Sequence, residues 1–274
     1  EYAPVKITSI NASMASLPLA RTELIKWKGA DGLEIEGLLT YPLNYTAGKK
    51  VPLLLNVHGG PAGNFGQTCI ATNQGTYPLA ALSENGYAIL RPNPRGSSGY
   101  GNIFRMANRQ DWGGKDYIDL MAGVDQVIKM GVTDESMLGV MGWSYGGFMS
   151  SNCLFQASDI FSMAIAVAPV SSWRFYDTIY TERYMHTPQE NPSGYDNNSP
   201  ITYADKMEGD QIRTIKGSVY DLSYGTIFGL SENCWAGMHN TYISAESGAV
   251  FTVFSNTGDT LCVFSSANQV INRT

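Results

Sequence analysis

The chain has 274 residues, of which 43% are hydrophobic and 15% charged, with a net charge of −6. That length holds one large domain or two small ones, and the composition excludes a disordered chain, a nucleic-acid binder and a partner of polyanions. No apolar run approaches the ~20 residues of a membrane span, and Glu1-Tyr-Ala-Pro-Val-Lys6 lacks the basic-then-apolar pattern of a signal peptide.

In chain order, residues 1–20 read as a linker, 21–206 as an α/β core, and 207–274 as a divergent C-terminal segment of the same domain. Glu23–Trp27 and Leu33–Tyr41 are strand-like runs joined by the hairpin connection Lys28-Gly-Ala-Asp-Gly32, the second alternating like a half-buried edge strand. Val51–Val57 and Tyr87–Leu90 are continuous apolar runs of the kind found in central parallel strands. Asp116–Met130 has helical spacing, with Ile118, Met121, Val124, Val127 and Ile128 as its buried stripe and Gly131 as its stop. Met137–Met141 reads as a buried strand, Gly147–Phe155 as a helix and Met163–Ala168 as another buried strand. From Gly217 onward Ser, Thr, Gly and Asn dominate, and Ala249–Phe254 and Leu261–Phe264 flank Ser255–Thr260 as a β-hairpin. Strands alternating with helices imply a parallel sheet covered on both faces. Cys69, Cys153, Cys234 and Cys262 are far apart and without metal-ligand spacing, so buried free thiols are the first expectation and one or two disulfides the alternative.

Gly142-Trp-Ser-Tyr-Gly146 matches G-x-S-x-G, the sharp strand-to-helix turn that raises a serine hydroxyl above an α/β sheet. The turn strains the serine backbone, and side chains two residues away would collide with the neighbouring strand or helix. A strand before and a helix after favour a nucleophile at Ser144 over a plain Gly-rich turn. His58-Gly-Gly-Pro61 follows the Val51–Val57 run. Alone it reads equally as a tight turn. Beside the elbow, the Gly60 N–H is expected to join that of Tyr145 as an oxyanion hole, each donor contributing roughly 3 kcal/mol to the transition state. Arg91-Pro-Asn-Pro-Arg95-Gly-Ser-Ser-Gly-Tyr-Gly101 reads as structural support for the rim of the site. Asp111-Trp-Gly-Gly-Lys-Asp116 reads as the start of the long helix, also structural.

Together the Gly-Trp-Ser-Tyr-Gly-Gly-Phe-Met elbow, the His-Gly-Gly-Pro turn and the Arg-Pro-Asn-Pro-Arg-Gly-Ser-Ser-Gly-Tyr-Gly loop resemble the prolyl oligopeptidase family of serine peptidases. The resemblance runs from about Thr22 to Lys206. The first half is most similar to acylaminoacyl-peptidase-type members; Val167–Met185 is very like the dipeptidyl peptidase IV type. It implies an α/β-hydrolase: a mostly parallel, twisted sheet with helices on both faces and an atypical C-terminal segment. It also implies a hydrolase that cleaves peptide bonds through an acyl-enzyme on Ser144, needing no metal or organic cofactor. Val170, Trp173, Tyr176 and Tyr180 would line a pocket for a Pro or Ala side chain before the cleaved bond. Aromatic faces at helical spacing suit a flat pyrrolidine ring, although the same spacing also suits ordinary core packing. A periplasmic or secreted setting is favoured by the resemblance alone.

The resemblance then breaks. Lys216-Gly217 stands where the family carries His-Gly, Tyr220 where it carries the catalytic aspartate, and Asp221 lies one residue further on. The catalytic histidine is expected roughly thirty residues after the acid in the order Ser…Asp…His; His239 follows Asp221 by only 18. Asp221 and His239 are the expected orienter and base on a rebuilt loop. His58 or His186 as a substitute base, and an inert serine with no base at all, stay open. The last segment reads as a divergent, foreign or frame-shifted ending. Dipeptidyl peptidases of this family grip the substrate amino terminus with glutamates of a β-propeller, and no propeller-sized segment lies within these residues. If the natural chain is no longer than this, the site is expected to be open and less selective. The expected partner is a peptide. An esterase on the same machinery and a catalytically inactive binding module are the alternatives.

Overall fold

The computed structural model describes residues 5, 7–10, 12, 16–68, 70, 77–157 and 159–206, with side chains as far as 203, and the backbone of four later strands. The strands are β1 (Thr22–Lys28), β2 (Glu34–Thr40), β3 (Leu53–Val57), β4 (Ala88–Asn93), β5 (Leu138–Trp143), β6 (Met163–Val167), β7 (Gly217–Asp221), β8 (Thr226–Leu230), β9 (Val250–Ser255) and β10 (Thr260–Ser265). Six α-helices are described: α1 (Leu79–Glu84), α2 (Asn102–Arg105), α3 (Lys115–Lys129), α4 (Tyr145–Gln156), α5 (Thr178–Met185) and α6 (Pro192–Asp196).

Eight strands form one sheet in the order β1-β2-β4-β3-β5-β6-β9-β10. The central four, β4, β3, β5 and β6, are mutually parallel, and the strands outside them pair antiparallel. This is the α/β-hydrolase arrangement. The continuous apolar runs explain it, because parallel strands joined by helices are covered on both faces. Leu53, Leu55, Val57, Leu90 and Val140 pack on one face with Leu120, Val124 and Val127 of α3 and Phe148, Met149 and Cys153 of α4. The alternate residues Leu54, Ile89 and Met141 pack on the other face with Ile70 and Leu79.

Four sequence expectations shift. β2 lies between β1 and β4, so β1 is the edge, and the second half of β2 is buried on both faces. β4 continues through Arg91, Pro92 and Asn93, which pair with Leu38, Gly37 and Glu36 of β2. The helix expected at 116–130 is α3; of its expected stripe Val124 and Val127 are buried and Met121 and Ile128 pack against the core, but Ile118 is 49% exposed, and Asp116, Asp119, Leu120 and Gly123 share the buried face. Periodicity counted only apolar side chains; two buried carboxylates and the Trp27 ring, which a Cβ on Gly123 would meet at 2.7 Å, turn the helix differently. Gly131 does end it, with φ 73°. Finally, Trp173, Tyr176 and Tyr180 do not share a helix. Trp173 sits in a 3₁₀ turn, Tyr176 is extended, and Asp177 caps α5 by accepting from the Tyr180 N–H at 2.8 Å.

Beyond 206 the hairpin expected from 249 to 264 is β9–β10, and β9 lies beside β6. Residues 207–216 lie outside the described residues, and β7 pairs with β8 in a separate two-stranded sheet. Cys153 is a buried free thiol; Cys69, Cys234 and the side chain of Cys262 lie outside the described residues. Among the described residues no helix is long and apolar enough to cross a membrane, and no group of His, Cys, Asp and Glu is arranged to hold a metal.

Candidate active site

Ser144 occupies the single residue between β5 and α4, at φ 58° and ψ −115°. A serine there is strained by about 1–3 kcal/mol, which persists only where the surroundings over-determine it. They do so here. Its N–H donates to the Val167 carbonyl at 2.9 Å and its own carbonyl accepts from Phe148 N–H at 2.9 Å, so both flanks of the turn are anchored. The side chain stands exposed at the tip. The flanking glycines are required by close backbone approach. A Cβ at Gly146 would run into the Val57 carbonyl, with its carbon at 2.9 Å and the His58 oxygen at 3.2 Å; a Cβ at Gly142 would meet the Gly146 backbone. Gly146→Ala is therefore expected to lose roughly 3 kcal/mol or more of stability. Gly66→Ala, where a Cβ meets nothing within 4 Å, is expected to stay within about 0.5 kcal/mol. Equal melting temperatures for the two variants would contradict this packing.

The His58–Pro61 turn follows β3 and abuts the elbow. A Cβ on Gly59 would lie 3.2 Å from the Trp143 oxygen and 3.6 Å from the Ser144 Cβ. Gly60, at φ 131°, sits beside it. The structure thus brings Gly60, Ser144 and Tyr145 to one end of the parallel strands.

Both described histidines are hydrogen-bonded to other groups. His58 Nδ1 donates to the Gly59 carbonyl at 2.8 Å, and Nε2 lies 3.0 Å from the Ser97 hydroxyl. Burial holds this imidazole below its usual pKa, against the opposing pull of the Gly59 bond. His186 follows α5, and its Nε2 accepts from Gln110 at 2.9 Å and Arg109 at 3.2 Å. His239 lies outside the described residues; Asp221 ends β7, with its side chain also outside them.

Three of the four residues expected to line the pocket cluster. Trp173 and Tyr176 have ring centroids 5.9 Å apart, and Tyr176 and Tyr180 5.5 Å. Trp112 closes the set, 5.2 Å from Tyr180 and 4.6 Å from Trp173. Trp173 is 1% exposed and Trp112 fully buried, so these two are interior, whereas Tyr176 is 42% exposed. Val170 and Tyr180 are half-buried against the same core. Trp112 was passed over in the sequence because one tryptophan before two glycines carries no periodic signal.

Asp116 was also read only as a helix start. It is 1% exposed and touches the elbow. One carboxyl oxygen accepts from the Gly113 and Tyr117 N–H groups, each at 2.9 Å; the other accepts from the Tyr145 hydroxyl and from Asn108 Nδ2 at 3.3 Å. Burial pushes this carboxyl up to about 7, although the Tyr145 and Asn108 bonds favour the anion.

The sequence model described as the prolyl oligopeptidase family matches residues 74–217. The "Probable dipeptidyl-aminopeptidase B" of Emericella nidulans is 38% identical over 170 residues, covering 62% of this chain and 18% of that protein. The protein of the same description from Arthroderma otae is 34% identical over 213 residues, covering 77% of this chain and 23% of that one. Among solved structures, Porphyromonas gingivalis dipeptidyl peptidase 4 is 28% identical with a TM-score of 0.65, covering 73% of this chain and 28% of that chain. Pyrococcus horikoshii acylaminoacyl peptidase is 28% identical with a TM-score of 0.61, covering 71% and 31%. The chain thus spans about a fifth of the length of the two curated relatives.

Proposed function

The chain belongs to the prolyl oligopeptidase family, and on that premise we propose that it is a serine peptidase whose nucleophile is Ser144. The hydroxyl attacks the carbonyl of the scissile bond and forms an acyl-enzyme, which water then hydrolyses. The N–H groups of Gly60 and Tyr145 receive the oxyanion. Val170, Tyr176 and Tyr180, with Trp112 and Trp173 as their floor, receive a small or cyclic side chain, Ala or Pro, before the cleaved bond. With His58 and His186 engaged elsewhere, His239 is assigned as the base and Asp221 as its orienter.

The observation that carries this reading is the exposed serine at φ 58° and ψ −115°, with the His58–Pro61 turn packed against it. A serine in ordinary loop structure has no reason to hold that conformation. The test treats the full chain with a fluorophosphonate probe and, in parallel, with Gly-Pro and Gly-Leu anilides and a nitrophenyl ester. Labelling at Ser144 and faster turnover of the Gly-Pro anilide than of the Gly-Leu anilide are expected. Turnover of the ester alone would replace the peptidase with an esterase. No labelling of a chain whose circular dichroism is intact would leave an inactive binding module.

A further inference from the structure

The Asp116 carboxyl lies one hydrogen bond from the residue after Ser144, yet the reaction as proposed makes no use of it. Tyr145, its partner, is the first residue of α4 and is 3% exposed. The tyrosine ring is held between Phe148, Trp112 and Trp173 at centroid distances of 5.1, 5.6 and 5.9 Å. Ring and backbone N–H belong to one residue at the helix start, so a shift of the hydroxyl bears on the N–H proposed to receive the oxyanion.

We propose that Asp116 is a positioning residue for acyl transfer. By accepting from the Tyr145 hydroxyl it holds the Tyr145 N–H and the Trp112–Trp173 floor in the arrangement that receives substrate, and the enzyme becomes less active when this carboxyl takes up a proton. The proposal rests on the serine-peptidase reading. As the anion, Asp116 accepts from all four donors around it. Protonated on the oxygen facing Tyr145, it donates to the tyrosine oxygen instead of accepting from it. The two protonation states thus require opposite directions of one buried hydrogen bond.

The groups facing this carboxyl make it responsive. Asp111 and Asp119 add like charge to the effect of burial. Tyr145 and Cys153 on α4 are themselves buried, and both are held neutral, with their pKa values raised. Arg95, a cation within electrostatic reach, is already bonded to Asp119. The folded carboxyl therefore keeps its proton to about 7, against about 3.9 for an unfolded aspartate. Between those values the folded state binds more protons, so this group's contribution to stability falls as pH rises.

The test compares wild type, Asp116→Asn, Tyr145→Phe and the double variant of the full chain. The readouts are the rate and apparent affinity of fluorophosphonate labelling, and the melting temperature, from pH 4.5 to 9. Asparagine places an N–H where the protonated acid has its O–H. Both single variants are expected to label about tenfold more slowly at pH 8, with apparent affinity nearly unchanged and no further loss in the double variant. The wild-type rate profile is expected to need two ionisations and Asp116→Asn one, and the wild-type melting temperature to decline between pH 4.5 and 7 more steeply than that of Asp116→Asn. If Asp116→Asn does not fold, Tyr145→Phe carries the kinetic comparison. A folded variant that labels at the wild-type rate with an unchanged profile overturns this proposal alone; no labelling of wild type sinks the serine reading and this proposal with it.

Discussion

Replacing Ser144 with alanine is expected to lower turnover of a Gly-Pro anilide by roughly 10⁴-fold or more, to the level set by binding and the oxyanion donors alone. The melting temperature is expected to stay within a degree or two of wild type. The two expectations separate because the Ser144 side chain is exposed and, among the described residues, makes no hydrogen bond. The strain of φ 58° lies in the backbone and is shared by serine and alanine. Anilide turnover and thermal unfolding measured on the same preparation check this. A variant that keeps turnover near wild type would show that another group is the nucleophile; one that loses activity and stability together would make Ser144 a structural residue.

The second large effect is on stability and arises far from the serine. Asp119 on α3 is fully buried, and its carboxylate accepts from Arg95 Nε at 2.7 Å, Arg95 Nη2 at 3.0 Å, the Arg95 N–H at 3.1 Å and the Ala30 N–H at 2.9 Å. The 4% exposed guanidinium also donates to the Ala30 carbonyl at 2.6 Å. One carboxylate thus ties the β1–β2 connection and the loop after β4 to the helix beneath them. Asp119→Ala leaves the buried guanidinium only the Ala30 carbonyl and the exposed Asp31 carboxylate at 3.7 Å; losing the buried partner of such a charge destabilises by about 3–5 kcal/mol. For a domain of this size that is on the order of 10 °C in melting temperature. Arg95→Met combined with Asp119→Leu is expected to lose less than Asp119→Ala alone, because no uncompensated charge remains. Thermal unfolding of the three proteins decides it. A loss below about 1 kcal/mol for Asp119→Ala would mean that the pair behaves like a surface contact.

The sequence reading of the Arg91–Gly101 loop as support was right in kind but incomplete. Arg95 does anchor, but its partner is a carboxylate on a helix whose buried stripe reads, from apolar spacing, as Ile118, Met121, Val124, Val127 and Ile128. Apolar periodicity cannot locate a buried Asp, since a carboxylate becomes an interior residue only when a cation or N–H groups meet it, and those come from elsewhere in the chain. The same reasoning covers Asp116, whose four donors come from three places on the chain. It also covers Trp112, which joins the aromatic cluster only once α5 and the turn at Trp173 are laid against it.

Ser144 and the glycines beside it, by contrast, were legible from five consecutive residues, because the constraint is local. A reversal from strand to helix around one residue excludes side chains at Gly142 and Gly146, whatever the rest of the protein does. The parallel centre of the sheet was legible for a similar reason, since strands buried on both faces read as near-continuous apolar runs. Only the folded chain decided which histidines are already committed. Ser97, Gln110 and Arg109 lie 39 or more residues from the imidazoles they bind, and a hydrogen bond over that separation leaves no trace in local composition.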